Sequence, residues 1–308
     1  MKYGWIEEFA DGTSHKKILD QIKKGSVVLE CGCASGYMTK YMKEKLGCKV
    51  YIVEYMPSYF EIAKQFAEDG VCGDLMADEW YQKFETLRFD YILFADVLEH
   101  LYDPLAVLKK AVSLLKEDGT FLVSLPNVGH NDILAKLWHG NWDYTNTGLL
   151  DNTHIRFWGR NNLDDFFKDA GLSIIAKDYI SVKTMQTEQY TATDAEKYIH
   201  AFEVLQERAD GEIYQFIIAA QKREYVSTAD SQVKDLLPRN EIIQGKLMME
   251  LVNEIKYKDL YIQNLINELA IRNNELAMLT ASRSWRITAP LRKLGSFLRR
   301  ITGKEKLK

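Results

Sequence analysis

Val27-Val-Leu-Glu-Cys-Gly-Cys-Ala-Ser-Gly36 sets an apolar, β-branched run directly before an acid and two glycines four positions apart. The run reads as a strand ending at Glu30, and the residues after Gly36 read as a helix from Tyr37 to Leu46. Glycine lets the backbone turn sharply and lets a ligand approach without meeting a Cβ. A dinucleotide loop would read GxGxxG, yet Ala34 and Tyr37 stand where the later glycines belong, which disfavours NAD. No Gly-Lys-Ser or Gly-Lys-Thr follows, which excludes a phosphate-binding P-loop.

Outward from this loop, similar runs recur at Val50–Glu54, Tyr91–Ala95 and Phe121–Leu125. Helical patterns separate them at Ser58–Glu68 and Pro104–Leu115, so the spacing predicts βαβ units on a parallel sheet. Pro57 and Pro104 sit at helix starts, where a missing N–H costs little. Gly119 and Gly171 are expected to mark turns into further strands. Leu172–Ile180, a helix over Thr193–Ala209 and a last strand over Glu212–Ala220 complete an α/β domain spanning residues 1–222.

The chain has 308 residues and a net charge of −4, unevenly spread. Residues 281–308 hold nine Lys and Arg against the single Glu305, so the first 280 residues carry −12. An acidic body lacks the basic track that nucleic acid needs, so nucleic acid is not an expected partner. Cys31, Cys33, Cys48 and Cys72 form neither a disulfide framework nor paired metal knuckles and read as reduced thiols. No apolar run is long enough to span a bilayer, and Met1–Asp11 lacks a secretory pattern, so the expected location is cytoplasmic.

Glu30-x-Gly32-x-x-x-Gly36 resembles the first motif of class I S-adenosylmethionine-dependent methyltransferases. Glu54 at the end of the second strand, Gly73-Asp74 after the third and Phe94-Ala-Asp-Val-Leu-Glu-His100 at the fourth follow that family's order of landmarks. The last of these resembles the fourth-strand motif of the ubiquinone-type and related small-molecule methyltransferases, and the aromatic stretch beyond the fifth strand, with Trp138, Trp142, Tyr144, Phe157 and Trp158, resembles the insert of methyltransferases of bacterial surface-glycan clusters. The resemblance covers about residues 20–222. It implies a Rossmann-like seven-stranded sheet of order 3-2-1-4-5-7-6, with strand seven antiparallel and helices on both faces. It also implies S-adenosyl-L-methionine as cofactor, Glu54 holding the ribose hydroxyls and Asp74 meeting the adenine amino group. The cofactor contacts expected are Glu30, Gly32, Cys33, Gly36, Tyr37, Glu54, Tyr55, Asp74, Phe94 and Asp96.

Methyl transfer from a sulfonium is a displacement governed by alignment in a dry pocket, and an alcohol acceptor must also lose a proton to a base or a metal-activated site. No HxxxH or DxD pattern is present, so no metal is expected. Loops beyond the C-terminal ends of the strands build such sites. His154, with Asp151 and Arg156 nearby, is therefore the first candidate for base and substrate contacts, and His130 the second. Trp138, Trp142, Tyr144, Phe157 and Trp158 concentrate in the same stretch, either as a hydrophobic lid or as aromatic faces for a sugar.

Residues 223–238 read as a linker. Met248, Ile255, Ile262, Leu269 and Leu276 then recur every seven residues, with Leu251, Leu265 and Leu279 in a second seam that Lys258 and Arg272 interrupt. This predicts a coiled-coil helix over 239–281 and a homo-oligomer. Residues 282–308 form a basic amphipathic tail, in which Ser282–Arg292 resembles a segment of polysaccharide-assembly proteins. Such a tail suits an anionic membrane surface at the inner face or a glycosyltransferase partner. The expected function is O-methylation of a sugar hydroxyl of a bacterial surface polysaccharide or its precursor. The alternatives are a quinone-like or other small hydroxylated acceptor, and a non-catalytic cofactor-binding scaffold that organises glycosyltransferases through the coiled coil.

Overall fold

The computed structural model describes residues 9–191, 194–223 and 234–235, with isolated helical positions between 262 and 296. The chain divides into two compact units, Met1–Asn240 and Glu241–Lys308.

The first unit is built on one sheet of order β3-β2-β1-β4-β5-β7-β6-β8. Its central parallel strands are β1 (Val27–Cys31), β2 (Lys49–Glu54), β4 (Phe89–Ala95) and β5 (Leu115–Pro126). They are buried on both faces and so read as nearly unbroken apolar runs rather than as alternating ones. β3 (Asp69–Cys72) lies parallel to β2 and is half exposed, and its polar four-residue sequence carries no periodic signal. β7 (Ile213–Lys222) runs antiparallel between β5 and β6 (Leu172–Ser181). This is the topology that the methyltransferase resemblance implied, extended at the β6 edge by the two-residue β8 (Lys234–Asp235) inside the expected linker.

The crossover helices are α2 (Tyr37–Leu46), α3 (Pro57–Ala63), α4 (Glu79–Phe84) and α5 (Pro104–Leu114), with α1 (Ser14–Leu19) entering ahead of β1. Two apolar layers hold the sheet: one includes Leu29, Phe94, Phe121 and Leu108, the other Val28, Met38, Met42 and Leu93. Gly119 is not a turn. It lies inside β5, beside a register shift against β4, where a Cβ would come within 2.9 Å of the Phe89 carbonyl oxygen. Gly171, at φ 83°, does make the turn before β6.

Beyond β5, α6 (Asn131–Trp138), α7 (Leu163–Asp169) and α8 (Asp194–Leu205) surround the aromatic stretch and split it. Trp158 joins the main core, and Trp142 meets Phe157 edge-on at 5.4 Å in a small cluster with Ile133, Leu149 and Leu150. Trp138 and Tyr144 stay exposed.

In the second unit, Ile262, Ile266, Leu269 and Met278 are helical with exposed side chains. Met248, Leu251, Ile255, Lys258, Leu265, Leu276 and Leu279 of the expected seams lie outside the described residues, as does most of the tail. Among the described residues no helix is long and apolar enough to cross a membrane.

Candidate active site

The loop after β1 is held by its neighbours' backbone. Gly32 N–H donates to the Val53 carbonyl at 2.7 Å, and Gly32 itself, at φ 75°, has no room for a Cβ, which would sit 2.5 Å from Val97 Cγ2. Ala34, also at positive φ (46°), donates its N–H to Glu54 Oε2 at 2.9 Å, while Met56 N–H donates to Glu54 Oε1 at 2.8 Å. Glu54 thereby fixes both the loop and the turn after β2. Glu30 lies deeper, where Thr39 Oγ1 donates to its Oε2 at 2.6 Å. Burial first, and the Glu54 charge after it, push the Glu30 carboxyl up to about 8, against the pull of the Thr39 hydrogen bond.

These elements open on a cavity of about 520 Å³ at the C-terminal ends of β1, β2 and β4. Of the expected cofactor contacts, Gly32, Tyr37, Glu54, Tyr55, Asp74 and Asp96 line it. Glu30, Cys33, Gly36 and Phe94 do not. Gly36 serves helix packing, since a Cβ there would sit 2.7 Å from Ala63 Cα on α3. Cys33 is buried against the second apolar layer, and Phe94 stacks on Phe121 in the core. The missed lining includes His15, His100 and Tyr102. His15 precedes the first strand on a six-residue helix, outside any motif, whereas His100 stood in the quoted fourth-strand motif.

Asp96 sits at φ 56°, a strained conformation of the kind that concentrates at functional sites. Ser124 Oγ donates to its Oδ1 at 2.9 Å, Gln215 Nε2 donates to the same oxygen, and Asp96 N–H returns to Ser124 Oγ at 3.0 Å. Its carboxylate therefore faces the cavity in one orientation. Beside it, His100 Nδ1 lies 3.2 Å from the Thr153 carbonyl.

His154 stands behind His100 rather than in the cavity wall, with ring centroids 4.8 Å apart and nearly edge-on. Its Nδ1 leans on the Leu149 carbonyl at 3.1 Å, and its Nε2 is 4.0 Å from Glu99 Oε1. Burial, then His100, lowers the His154 pKa below the usual imidazole value. Glu99 is 1% exposed, and among the described residues its Oε2 has no hydrogen-bond partner. Burial pushes its carboxyl well up, and the Asp96 and Asp151 charges add to that.

The other candidates are engaged structurally. Asp151 Oδ1 accepts Thr153 N–H and Oγ1–H at 2.9 and 2.7 Å, which shapes the turn before His154. Arg156 donates from Nε and Nη2 to the Tyr102 carbonyl and covers the Tyr102 ring at 5.3 Å. With Phe157 and Trp158 it borders a second hollow of about 450 Å³ that shares Tyr102 with the first. His130 is fully buried and caps α6: its Nδ1 accepts Asp132 N–H at 3.1 Å and its Nε2 lies 2.8 Å from the Val182 carbonyl. Neither nitrogen reaches the cavity.

Among the described residues Glu99, His100 and His154 could hold a cation, their ligand atoms lying within 4.8 Å of one another. Both imidazoles lean on backbone carbonyls through Nδ1, the usual way of orienting a ligating ring. Ligands of a tetrahedral zinc-like ion stand about 3.3 Å apart, so the cluster would hold such an ion only after its ligand atoms close by roughly 1.5 Å. The chain positions are too far apart for spacing to have suggested it.

The topology and the acidic, glycine-lined cavity agree with a match of residues 6–177, more than half of the chain, to the family described as Methyltransferase domain. The chain belongs to that family. Its fold is that of the class I enzymes that use S-adenosylmethionine. The cavity fits that cofactor, since Gly32 and Gly73 bring bare backbone to its wall and Glu54 and Asp74 supply acceptors for hydroxyl and amino groups. Among its relatives is the ubiquinone biosynthesis O-methyltransferase of Histophilus somni (strain 2336), 29% identical over 157 residues, which are 46% of this chain and 61% of the relative. The corresponding enzyme of Xanthomonas campestris pv. campestris (strain B100) is 30% identical over 109 residues, 33% and 44% of the two chains. The chain thus spans less than two thirds of either relative. Similar solved structures include Burkholderia thailandensis 1,6-didemethyltoxoflavin-N1-methyltransferase with bound 1,6-didemethyltoxoflavin and S-adenosylhomocysteine, at TM-score 0.43 and 16% identity over 69% of this chain and 79% of that one. The CcbJ methyltransferase of Streptomyces caelestis gives 0.45 and 14%, over 69% and 89%.

Proposed function

We propose that the protein transfers a methyl group from S-adenosylmethionine to a hydroxyl of a small acceptor, a sugar hydroxyl of a bacterial surface polysaccharide or its precursor. The observation that carries O-methylation is that His100 and the carboxylate of Asp96, fixed by Ser124, both line the cofactor cavity. When bound, the cofactor supplies an electrophilic methyl group. Glu54 and Asp74 hold its nucleoside end, and Gly32 gives it room. His100 accepts the acceptor's hydroxyl proton, with Asp96 stabilising the charge that forms. His154 and the Thr153 backbone orient His100. A cation at Glu99, His100 and His154 would instead acidify the hydroxyl directly.

The sugar acceptor rests on the glycan-cluster resemblance and on Tyr102, 74% exposed where the two hollows meet, which offers a ring face to sugar C–H groups. A quinone-like acceptor is favoured by the named relatives and by the apolar lining from Met56, Leu75, Met76 and Leu101. Saturable titration with S-adenosylhomocysteine, lost in Glu54→Ala, followed by methyl transfer from labelled cofactor to a panel of nucleotide-sugars, lipid-linked glycans and catechols, decides between them. Transfer to catechols alone would sink the sugar reading. Cofactor binding with no transfer would favour the scaffold.

We place the coiled coil and basic tail as a homo-oligomerising and docking module that keeps the enzyme, in the cytoplasm, at an anionic membrane surface or a glycosyltransferase. The exposed apolar side chains of Ile262, Ile266 and Leu269 support this arrangement.

A further inference from the structure

The cofactor cavity is short of positive charge. Glu54, Asp74 and Asp96 line it, and among the described residues no lining side chain is Lys or Arg. Those acids suit the ribose, the adenine amino group, the ammonium and the sulfonium of S-adenosylmethionine. They do not suit its carboxylate, which needs a donor or a cation. Two imidazoles line the cavity. His100 is tied to Thr153 and meets His154 edge-on beside the buried Glu99.

His15 is placed differently. It projects from α1, edge-on to the Tyr37 ring with centroids 5.3 Å apart, and its Nε2 lies 3.1 Å from the Tyr37 hydroxyl. Tyr37 is the first residue of α2, whose N-cap, Gly36, supplies no side-chain hydrogen bond. The first turn of that ten-residue helix therefore adds partial positive charge to the same corner.

We propose that His15, with Tyr37 beside it, seats the carboxylate of the cofactor's amino-acid end, and that binding loads a proton from solvent onto the His15 imidazole. The surroundings support this. Phe9, at 6.0 Å between centroids, and Tyr37, at 5.3 Å, flank the His15 ring. Asp96, from the end of β4, is the charge that faces it. On α1 itself Lys16 turns to Asp20, and Lys17 turns to Asp178 on β6. Burial depresses the His15 pKa, only partly offset by Asp96, so the empty site favours the neutral ring. A bound carboxylate raises it again. Affinity is then greatest at low pH and falls as pH rises through the pKa of the unliganded ring. The inference rests on the cofactor reading of the cavity.

The test is calorimetric titration of the full chain, from about pH 5.5 to 8.5 around the imidazole range, with two probes. S-Adenosylhomocysteine carries the carboxylate, and 5′-methylthioadenosine shares the nucleoside and sulfur without it. Wild-type affinity for the first should fall with pH, with proton uptake read from buffers of different ionisation enthalpy, while the second stays flat. His15→Gln should weaken S-adenosylhomocysteine by about 10- to 100-fold at low pH, the worth of a charge-assisted hydrogen bond. It should also erase the slope and leave methylthioadenosine unchanged, which itself reports an intact cavity. His15→Lys should restore affinity without the slope. A slope that survives in His15→Gln, or equal weakening of both probes, overturns the proposal. Failure of folded wild-type protein to bind either probe overturns the cofactor reading and the inference with it.

Discussion

Glu54 Oε2 accepts the Ala34 N–H at 2.9 Å, so the acid expected to hold the ribose also holds the loop that cradles the cofactor. Its other oxygen accepts Met56 N–H. Glu54→Ala therefore removes a ligand contact and leaves two backbone donors without their acceptor. We expect loss of S-adenosylhomocysteine binding together with a stability loss of about 1–3 kcal/mol. Glu54→Gln, which keeps one acceptor oxygen, should recover much of the stability. Urea unfolding beside calorimetry separates the two effects, and an Ala variant as stable as wild type would show that the loop holds its shape alone.

The two motif glycines should fail differently. Gly36→Ala forces a methyl against the Ala63 backbone at positive φ and should cost about 2 kcal/mol or more of stability while the folded fraction still binds cofactor. Gly32→Ala, also at positive φ and 2.5 Å from the stiff Val97 side chain, should cost stability too, but because Gly32 and Val97 both line the cavity it should lower cofactor affinity as well. Equal affinity losses in both variants would contradict this division.

Glu30 gives the domain a pH signature. Its folded pKa of about 8 stands above the ordinary 4.5, so the folded state holds a proton that the unfolded chain releases between those values. Stability from this group is fully present below about pH 4.5 and is lost as pH rises through about 8. Glu30→Gln should flatten that decline while keeping an acceptor for Thr39. Urea midpoints from pH 5 to 9 check it, and an unchanged pH profile in the variant would remove Glu30 as the source.

His100→Gln should lower turnover by about 10²- to 10⁴-fold, the usual contribution of a general base, with S-adenosylhomocysteine affinity nearly unchanged. His154→Ala should have the smaller effect, because it acts through His100. Single-turnover transfer to the acceptor found in the screen gives the order, and a larger loss in His154→Ala would return the base role to it.

A chain ending at residue 240 should remain folded, bind cofactor and run as a monomer on size exclusion, while the full chain runs as an oligomer. Identical apparent sizes per subunit would dispose of the coiled-coil assembly.

The parallel strands and the candidate cofactor loop were legible because they rest on local properties, whereas the order of the strands followed only from the methyltransferase resemblance. Buried parallel strands need continuous apolar runs, and the loop needs glycines at Gly32 and Gly36 and an acid at Glu54, all readable in order along the chain. What each glycine is for was not legible, since one faces Val97 and the other Ala63 only after the helices pack. The proposed catalytic corner was decided by tertiary structure alone. His154 and His100 are distant in sequence, and the Glu99 carbonyl accepting the Ile155 and Arg156 N–H groups, together with the His100–Thr153 contact, brings their rings together. Those bonds put His100 at the cavity and His154 behind it. His130 followed the same rule in reverse: as a residue type it could serve as a base, but its place at the start of α6 gives both ring nitrogens backbone partners. Periodicity and motif order are properties of neighbours along the chain, whereas the facing of a side chain is a property of what packs against it.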